Sequence, residues 1–455
     1  MLPTTQHRLL HRLATGQSEG RAPSMAGAVI RDGQAVWTHA IESSIDTQYR
    51  IGSLTKTFVA VLVMRLRDEG ALDLSDPLEK HLAGTKAGPL MIAQLLSHTS
   101  GLASESPGPW WERTPGDLRP ALADILGDDP MRHPAGRRHH YSNPGFGLLG
   151  ALVEQLRGKP WGEVLQREIL DPLEMTRTSL LPRAPHAQGW AVHPWADVLQ
   201  PEVVQETGRM APAGQLWSTV EDLSRFAGLL ANGADGVLTA DTVAEMRTPA
   251  AAPEEASWEA SYGLGMQTYR AGGRSLAGHT GSMPGFLCAL WVQVDEGLGA
   301  VALTNTTSGM AIGGLVADLI GIVADNEPRI PKAWKPLSEV DSETLLLTGP
   351  WYWGPTGVAL RLRAEGMLEL TALSGNSALS ARFRQDGKGN WVGLNGYFNG
   401  ETLRPVRHAD GSLSHLDIGS FVFTREPYDP AAPIPGGVDP AGWRAVGSSE
   451  ELPAE

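Results

Sequence analysis

The chain has 455 residues, a hydrophobic content of 42% and a formal net charge of −14. That length exceeds one ordinary compact domain and that content can fill a core, so two or three folded units are expected. With an isoelectric point near 5.4 and no run of Lys and Arg able to track phosphates, nucleic acid and anionic membrane are excluded as partners.

At the N-terminus, Met1-Leu2-Pro3-Thr4-Thr5-Gln6-His7-Arg8 runs into His11, Arg12 and Glu19 without an apolar leader core, and no later stretch reaches the ~18 apolar residues a membrane span needs. A soluble, cytoplasmic protein with no membrane span is expected. Ala26 to Ile30 and Gln34 to Thr38 flank Arg31-Asp32-Gly33 and predict a β-hairpin around an Asp-Gly turn. From Ser53 to Glu69 the spacing of Leu54, Phe58, Val61 and Leu62, with Gly70 as C-cap, predicts a helix buried on most sides.

Residues from about 72 to 250 read as a helical insertion, with Ser218-Thr219-Val220-Glu221 as a capping box. Strands are predicted over Tyr262 to Tyr269, Phe286 to Val294 and Ala300 to Thr304, then an apolar helix from Ala311 to Asp325. Strands split between distant segments imply an α/β (α+β) fold, an antiparallel sheet flanked by helices. The single cysteine, Cys288, cannot form an internal disulfide and is expected to be a buried, inert thiol.

The proline-rich run from Asn326 to Pro336 has no periodicity and marks a linker, set at 329–338 between a first domain of residues 1–328 and a second of 339–428. The second domain alternates apolar and polar residues (Val358, Leu360, Leu362; Leu368, Leu370) between turns such as Glu365-Gly366, Asn395-Gly396 and Asn399-Gly400. A small antiparallel β-barrel is expected, with Trp351-Tyr352-Trp353 in its core, followed by a flexible tail over 429–455.

Chemistry concentrates in Ile51-Gly52-Ser53-Leu54-Thr55-Lys56, where Ser and Lys, three apart at a helix start, lie on one face. A lysine in a water-poor cleft has a lowered pKa and can take the serine's proton, while the helix N-terminus favours a developing oxyanion. Taken alone, the pattern equally fits an N-capping serine followed by a surface lysine. Few lysines stand beside many arginines here, and no other Lys has a Ser three residues before it. Tyr141-Ser142-Asn143 offers a phenol to relay a proton and an amide to hold a substrate carbonyl. Gly278-His279-Thr280-Gly281-Ser282 enters a strand with glycines that admit another backbone, and its His could reach a substrate carboxylate or Tyr141. His98 is expected to bond to backbone at a helix end, and His139-His140 to lie on a solvated loop. No metal-binding His or Cys motif, phosphate-cradling glycine loop or Gly-x-Ser-x-Gly elbow occurs, so no metal and no cofactor is expected.

Ser-x-x-Lys, Tyr-x-Asn and His-Thr-Gly, in that order, resemble the serine β-lactamase and penicillin-binding-protein superfamily, with the class C and D-aminopeptidase-esterase-like branch matched further by Leu95-Leu96-Ser97-His98-Thr99-Ser100-Gly101-Leu102, Asp171-Pro172-Leu173-Glu174-Met175 and Tyr262-Gly263-Leu264-Gly265. The match covers residues 20 to 325. The resemblance implies Ser53 as acylated nucleophile, Lys56 and Tyr141 as acid/base pair, Asn143, His279 and Gly281 as substrate contacts, and the backbone N–H groups of Ser53 and Ser282 as oxyanion hole. His279 stands where many members have lysine, which argues against β-lactam hydrolysis and cell-wall transpeptidation. Together with a lipocalin-like barrel, the pattern resembles stand-alone penicillin-binding-protein-type thioesterases that release and macrocyclise nonribosomal peptides. The expected substrate is a small-molecule or peptidyl ester, thioester or amide, free or carrier-protein-bound. A D-amino-acid amidase, aminopeptidase or esterase is the alternative, and a catalytically silent ligand-binding module a third.

Overall fold

A computed structural model describes residues 1–118, 121–252, 259–374 and 379–427. It divides into two compact units, Met1–Arg329 and Ile330–Glu455. The tail expected over 429–455 lies outside the described residues.

In the first unit the elements run α1 (Pro3–Glu19), β1 (Met25–Arg31), β2 (Gln34–Ile41), β3 (Tyr49–Arg50), α2 (Thr55–Asp68), α3 (Ile92–Leu96), α4 (Asn143–Arg157), α5 (Trp161–Leu165), β4 (Trp190–Val192), β5 (Leu199–Pro201), α6 (Ala211–Gly214), β6 (Trp217–Ser218), α7 (Val220–Asn232) and α8 (Ala240–Arg247). There follow β7 (Ala260–Tyr262), β8 (Gln267–Ala271), β9 (Arg274–Met283), β10 (Phe286–Gln293), β11 (Leu298–Thr304) and α9 (Ile312–Asn326). Seven strands form an antiparallel sheet in the order β2-β1-β11-β10-β9-β8-β7. The N- and C-terminal segments of the unit thus meet at the β1–β11 pair, as the split strand signals imply.

The hairpin turns where it is expected to. Asp32 and Gly33 both have positive φ, 50° and 80°, the geometry an Asp-Gly turn supplies between right-twisted strands. One face of the sheet packs on α1 and α9 through Leu9, Leu13, Leu315, Leu319 and Ile320; the other packs on α2 and α7 through Phe58, Val61, Phe226 and Leu230. Because both faces are covered, every residue of β11 is buried, and the strand shows no apolar-polar alternation.

Three expectations need correction. The strand expected over Tyr262 to Tyr269 is two strands, broken where Gly265 takes φ 73° and its N–H reaches Leu96 O at 2.9 Å. A Cβ on Gly265 would sit 2.1 Å from that of Ala60, so the break seats α2. The cap of α7 is Thr219 rather than Ser218, accepting from Asp222 N at 3.3 Å. The third concerns the second unit, where α10 (Ser342–Leu347) precedes eight antiparallel strands in sequential order: β12 (Gly349–Trp353), β13 (Thr356–Leu362), β14 (Leu368–Ala372), β15 (Ala381–Gln385), β16 (Trp391–Gly393), β17 (Thr402–Arg407), β18 (Leu413–Ile418) and β19 (Phe421–Phe423). Tyr352 and Thr424 exchange backbone hydrogen bonds at 2.8 and 2.9 Å and bring the first strand to the last, so the sheet curls into a barrel. Of the aromatic triplet only Trp351 is fully in the core; Tyr352 points to the opposite face of the strand, and Trp353, on the same face as Trp351 but at the last position of β12, is 42% exposed. Trp351, Phe383, Trp391, Phe398 and Phe423 fill the described interior.

Candidate active site

Ser53 lies in a 3₁₀ turn (Gly52–Leu54) that runs into α2, so Lys56 is one turn further on the same face. Lys56 Nζ is 2.9 Å from Ser53 Oγ and donates to Ala213 O at 2.6 Å. The lysine is fully buried, and burial pushes its pKa down to about 7, with the carboxylates of Glu105 and Glu112 pulling the other way. Its amine also sits 5.0 Å from the Tyr141 ring centroid.

Tyr141 hydrogen-bonds with the Ser53 side chain, and burial holds its phenol above the usual range. The tyrosine precedes α4, whose N-cap Ser142 accepts from Gly145 N at 3.2 Å. Hydroxyl, amine and phenol, separated in sequence by 88 residues between Ser53 and Tyr141, therefore converge on one oxygen.

Strand β9 supplies the opposite wall. Its pairing with β8 stops at Gly278, which leaves residues 279–283 of that edge facing the Gly52 turn. The two-residue turn at Pro284 and Gly285 makes Met283 and Phe286 the first paired residues; strict alternation then directs the Ser282 N–H and C=O outward, toward Gly52. The approach is tight. A Cβ on Gly52 would fall 2.6 Å from Ser282 N, and one on Gly281 would fall 1.9 Å from Ile51 O and 3.1 Å from Ser53 N. Glycine at 281 thus lets the backbone N–H groups of Ser53 and Ser282 come together.

Asn143 and His279 have partners within the protein that the sequence did not disclose. Asn143 Nδ2 donates to Glu105 Oε1 at 2.7 Å, and among the described residues its buried Oδ1 has no partner. His279 does not bond to Tyr141. Its Nε2 lies 2.9 Å from the Tyr262 hydroxyl and its Nδ1 meets Thr280 O, while burial pushes the imidazole down to about 3. A neutral ring engaged at both nitrogens and 1% exposed presents no free donor to a substrate carboxylate. The His139-His140 pair is half-buried instead of solvated, with the His139 ring against His98 and Tyr262.

Sequence reasoning passed over Glu105, Glu112 and the carbonyl of Ala213. Glu105 Oε2 also accepts from Trp111 Nε1 at 2.7 Å, and burial raises the pKa of Glu112. The single glutamates carried no spacing signal; only their place in the fold exposes them. A cavity of about 1030 Å³ lined by Gly147, Gly150, Trp161, Leu180, Pro212 and Gln215 does not include Ser53. Groups converging on one oxygen identify the chemical centre better than cavity size does. No cluster of His, Cys, Asp or Glu able to hold a metal occurs among the described residues, and Cys288 is buried in β10 with its thiol pKa pushed up.

A Beta-lactamase family model matches residues 10–325. The chain belongs to the beta-lactamase family. This beta-lactamase-family chain is 28% identical over 359 residues to penicillin-binding protein 4 of Amycolatopsis lactamdurans, covering 71% of this chain and 91% of that protein. A D-stereospecific amidohydrolase from Streptomyces sp. superposes with a TM-score of 0.59 at 25% identity, covering 72% of this chain and 98% of the other. SurE with D-Leu superposes with a TM-score of 0.57 at 24% identity over 93% of this chain and 100% of its own, a likeness of fold. Residues 340–425 match a domain of unknown function (DUF7586). The first unit thus has the serine hydrolase-type fold shared by beta-lactamases and penicillin-binding proteins, and no helix among the described residues is long and apolar enough to cross a membrane.

Proposed function

We propose that the protein is a serine acyl-transfer enzyme that forms an ester between Ser53 and the acyl group of a peptidyl thioester, ester or amide, and that its physiological reaction is release and macrocyclisation of the peptide. The observation that carries the reading is the contact of Ser53 Oγ with both Lys56 and Tyr141.

Lys56, with a pKa near 7, is neutral in a large fraction at physiological pH. It takes the Ser53 proton as Oγ adds to the substrate carbonyl carbon, and the carbonyl oxygen becomes an oxyanion held by the Ser53 and Ser282 N–H groups. Collapse breaks the bond to the thiolate, alkoxide or amine, which leaves with a proton returned through Lys56 and the Tyr141 phenol. An amine of the same peptide then adds to the ester carbonyl, yields its proton to the same pair, and expels Ser53 as product leaves. Water in place of the amine gives the linear acid.

A second reading, hydrolysis of amides or esters of D-amino acids, is supported by the likeness to a D-stereospecific amidohydrolase and to SurE, whose structure contains D-Leu. The likeness to a D-stereospecific amidohydrolase is the reason to give the test donor a D-configured acyl residue. A peptidyl thioester with a C-terminal D-residue and a free N-terminal amine tests them: cyclic product supports the first and linear acid alone the second. Failure of any donor to load Ser53, read by intact mass with Ser53→Ala as control, would remove both.

A further inference from the structure

The Tyr141 phenol must reach Ser53 Oγ from a loop, and a loop does not hold a phenol still by itself. We propose that His98 is the positioning residue of Tyr141, fixing the phenol's approach to Ser53 through a backbone clamp and a ring contact. This inference rests on the acyl-transfer reading above.

The construction begins where α3 ends. His98 follows the C-cap Ser97 and takes φ 55°, a left-handed conformation that is unfavourable for a non-glycine residue. Strain of this kind persists where the surroundings over-determine it, and here they do. The His98 carbonyl, turned outward by that φ, accepts from His140 N at 2.7 Å; the ring's Nδ1 accepts from Ser142 N at 3.0 Å. One residue therefore grips the backbone on both sides of Tyr141. Neighbours in the same short segment extend the grip, since Gly101 O accepts from Arg132 N and His133 N and Thr99 O accepts from Gly136 N.

The ring itself lies tilted against the phenol, at 34° with centroids 4.1 Å apart, and Phe146 and Tyr262 close the other sides at 5.2 and 4.6 Å. An imidazole that accepts at Nδ1 carries its proton on Nε2, so the hydrogen bond from Ser142 also fixes the tautomer. Full burial keeps the ring neutral. His98 touches neither Ser53 nor the oxyanion site; its effect must pass through Tyr141.

Asparagine supplies the test, because its Oδ1 is attached at the same atom as the imidazole Nδ1 and it tolerates the left-handed backbone. His98→Ala is expected to lower kcat for thioester turnover by ten- to a hundredfold with KM within about twofold, the scale of a phenol displaced by about 1 Å, and His98→Asn to recover most of it. In a Tyr141→Phe background, His98→Ala should then cost nothing further. If the alanine chain shows no cooperative unfolding transition, His98→Gly, which suits the backbone, takes its place in the cycle. Losses that add in full in the Tyr141→Phe background, or full activity of His98→Ala, would overturn the proposal. Wild type that still loads Ser53 while the cycle is additive counts against His98 alone, whereas wild type that never loads Ser53 counts against the function.

Discussion

The two units fill their interiors with different chemistry. The first buries Arg50, Lys56, His98, Asp222 and His279 among its apolar side chains, whereas the buried residues of the second are apolar, with His415 the one buried polar residue among those described. Burying an ionisable group costs free energy unless it is paired or neutral. The first unit carries that cost around Ser53, where a lysine short of water is a lysine able to accept a proton. The described interior of the barrel is packed with apolar side chains such as Trp351, Phe383, Trp391 and Phe398. A core that pushes Lys56, His98 and His279 away from their charged forms marks the unit in which protons move.

The sharpest break of this contrast is at Lys56. Lys56→Met keeps the bulk and removes the base, and acylation of Ser53 by a peptidyl thioester should fall by about 10³-fold or more, comparable with losing a member of an interdependent catalytic set. A rate within tenfold of wild type, by stopped-flow or quench and mass spectrometry, would show that the buried amine is structural. The second unit should respond to truncation in stability instead. Trp351→Ala removes a fully buried ring and should cost about 3–5 kcal/mol in the unfolding transition of the barrel, while acylation of Ser53 by a small activated ester stays within about twofold. Parallel loss of both would mean that the barrel core also organises the site.

A smaller effect is the pH profile. With the Lys56 pKa near 7, the neutral amine is depleted as pH falls, so the acylation rate should drop about tenfold per pH unit below 7 and level off above it. His279, pushed down to about 3, and His98, held well below the usual range, stay neutral across this window and add no inflection. A limb that tracks a histidine instead, seen as an inflection that vanishes in His279→Asn, would contradict the assignment to Lys56.

The catalytic segment was legible because its signal is local: Ser53 and Lys56 are a helical turn apart, and the turn forms wherever α2 does. The barrel was legible for a related reason, since β14 alternates between a buried and a more open face at Leu368 and Leu370. The central sheet of the first unit was harder. β11 is buried on both faces and carries no period, and β9 was read only as glycines entering a strand, because Gly278 and Gly281 are selected by close approach to Leu290 O and Ile51 O and not by strand propensity. The partner of His279 was out of reach on the same account: Tyr262 lies on another strand 17 residues away, and no spacing rule reports which of two tyrosines a fold brings to one imidazole. Glu105 left no trace in sequence at all, being a lone carboxylate whose meaning is the amide of Asn143.

The smallest expected effect asks whether the sensitivity of the first unit is confined to the site. Two residues at the start of α7 separate the sequence reading from the fold: Glu221, which a Ser218 capping box would make important, and Thr219, whose side chain accepts from Asp222 N. In the structure Glu221 only pairs with Arg225 one turn on, with its side chain 61% exposed, an interaction worth about 0.3–0.5 kcal/mol. Thr219 satisfies one of the helix's orphan N–H groups in a buried setting, so Thr219→Ala should cost about 1 kcal/mol, with Thr219→Ser recovering most of it. Urea unfolding of the full chain distinguishes the two, and acylation of Ser53 should be unchanged in both. Should Glu221→Gln prove the costlier substitution, the cap lies at Ser218 after all. Should Thr219→Ala instead slow acylation without lowering stability, the helix that backs the sheet is coupled to the strand carrying Ser282, and the division between a cohesive scaffold and a proton-moving pocket would run inside the first unit as well as between the two.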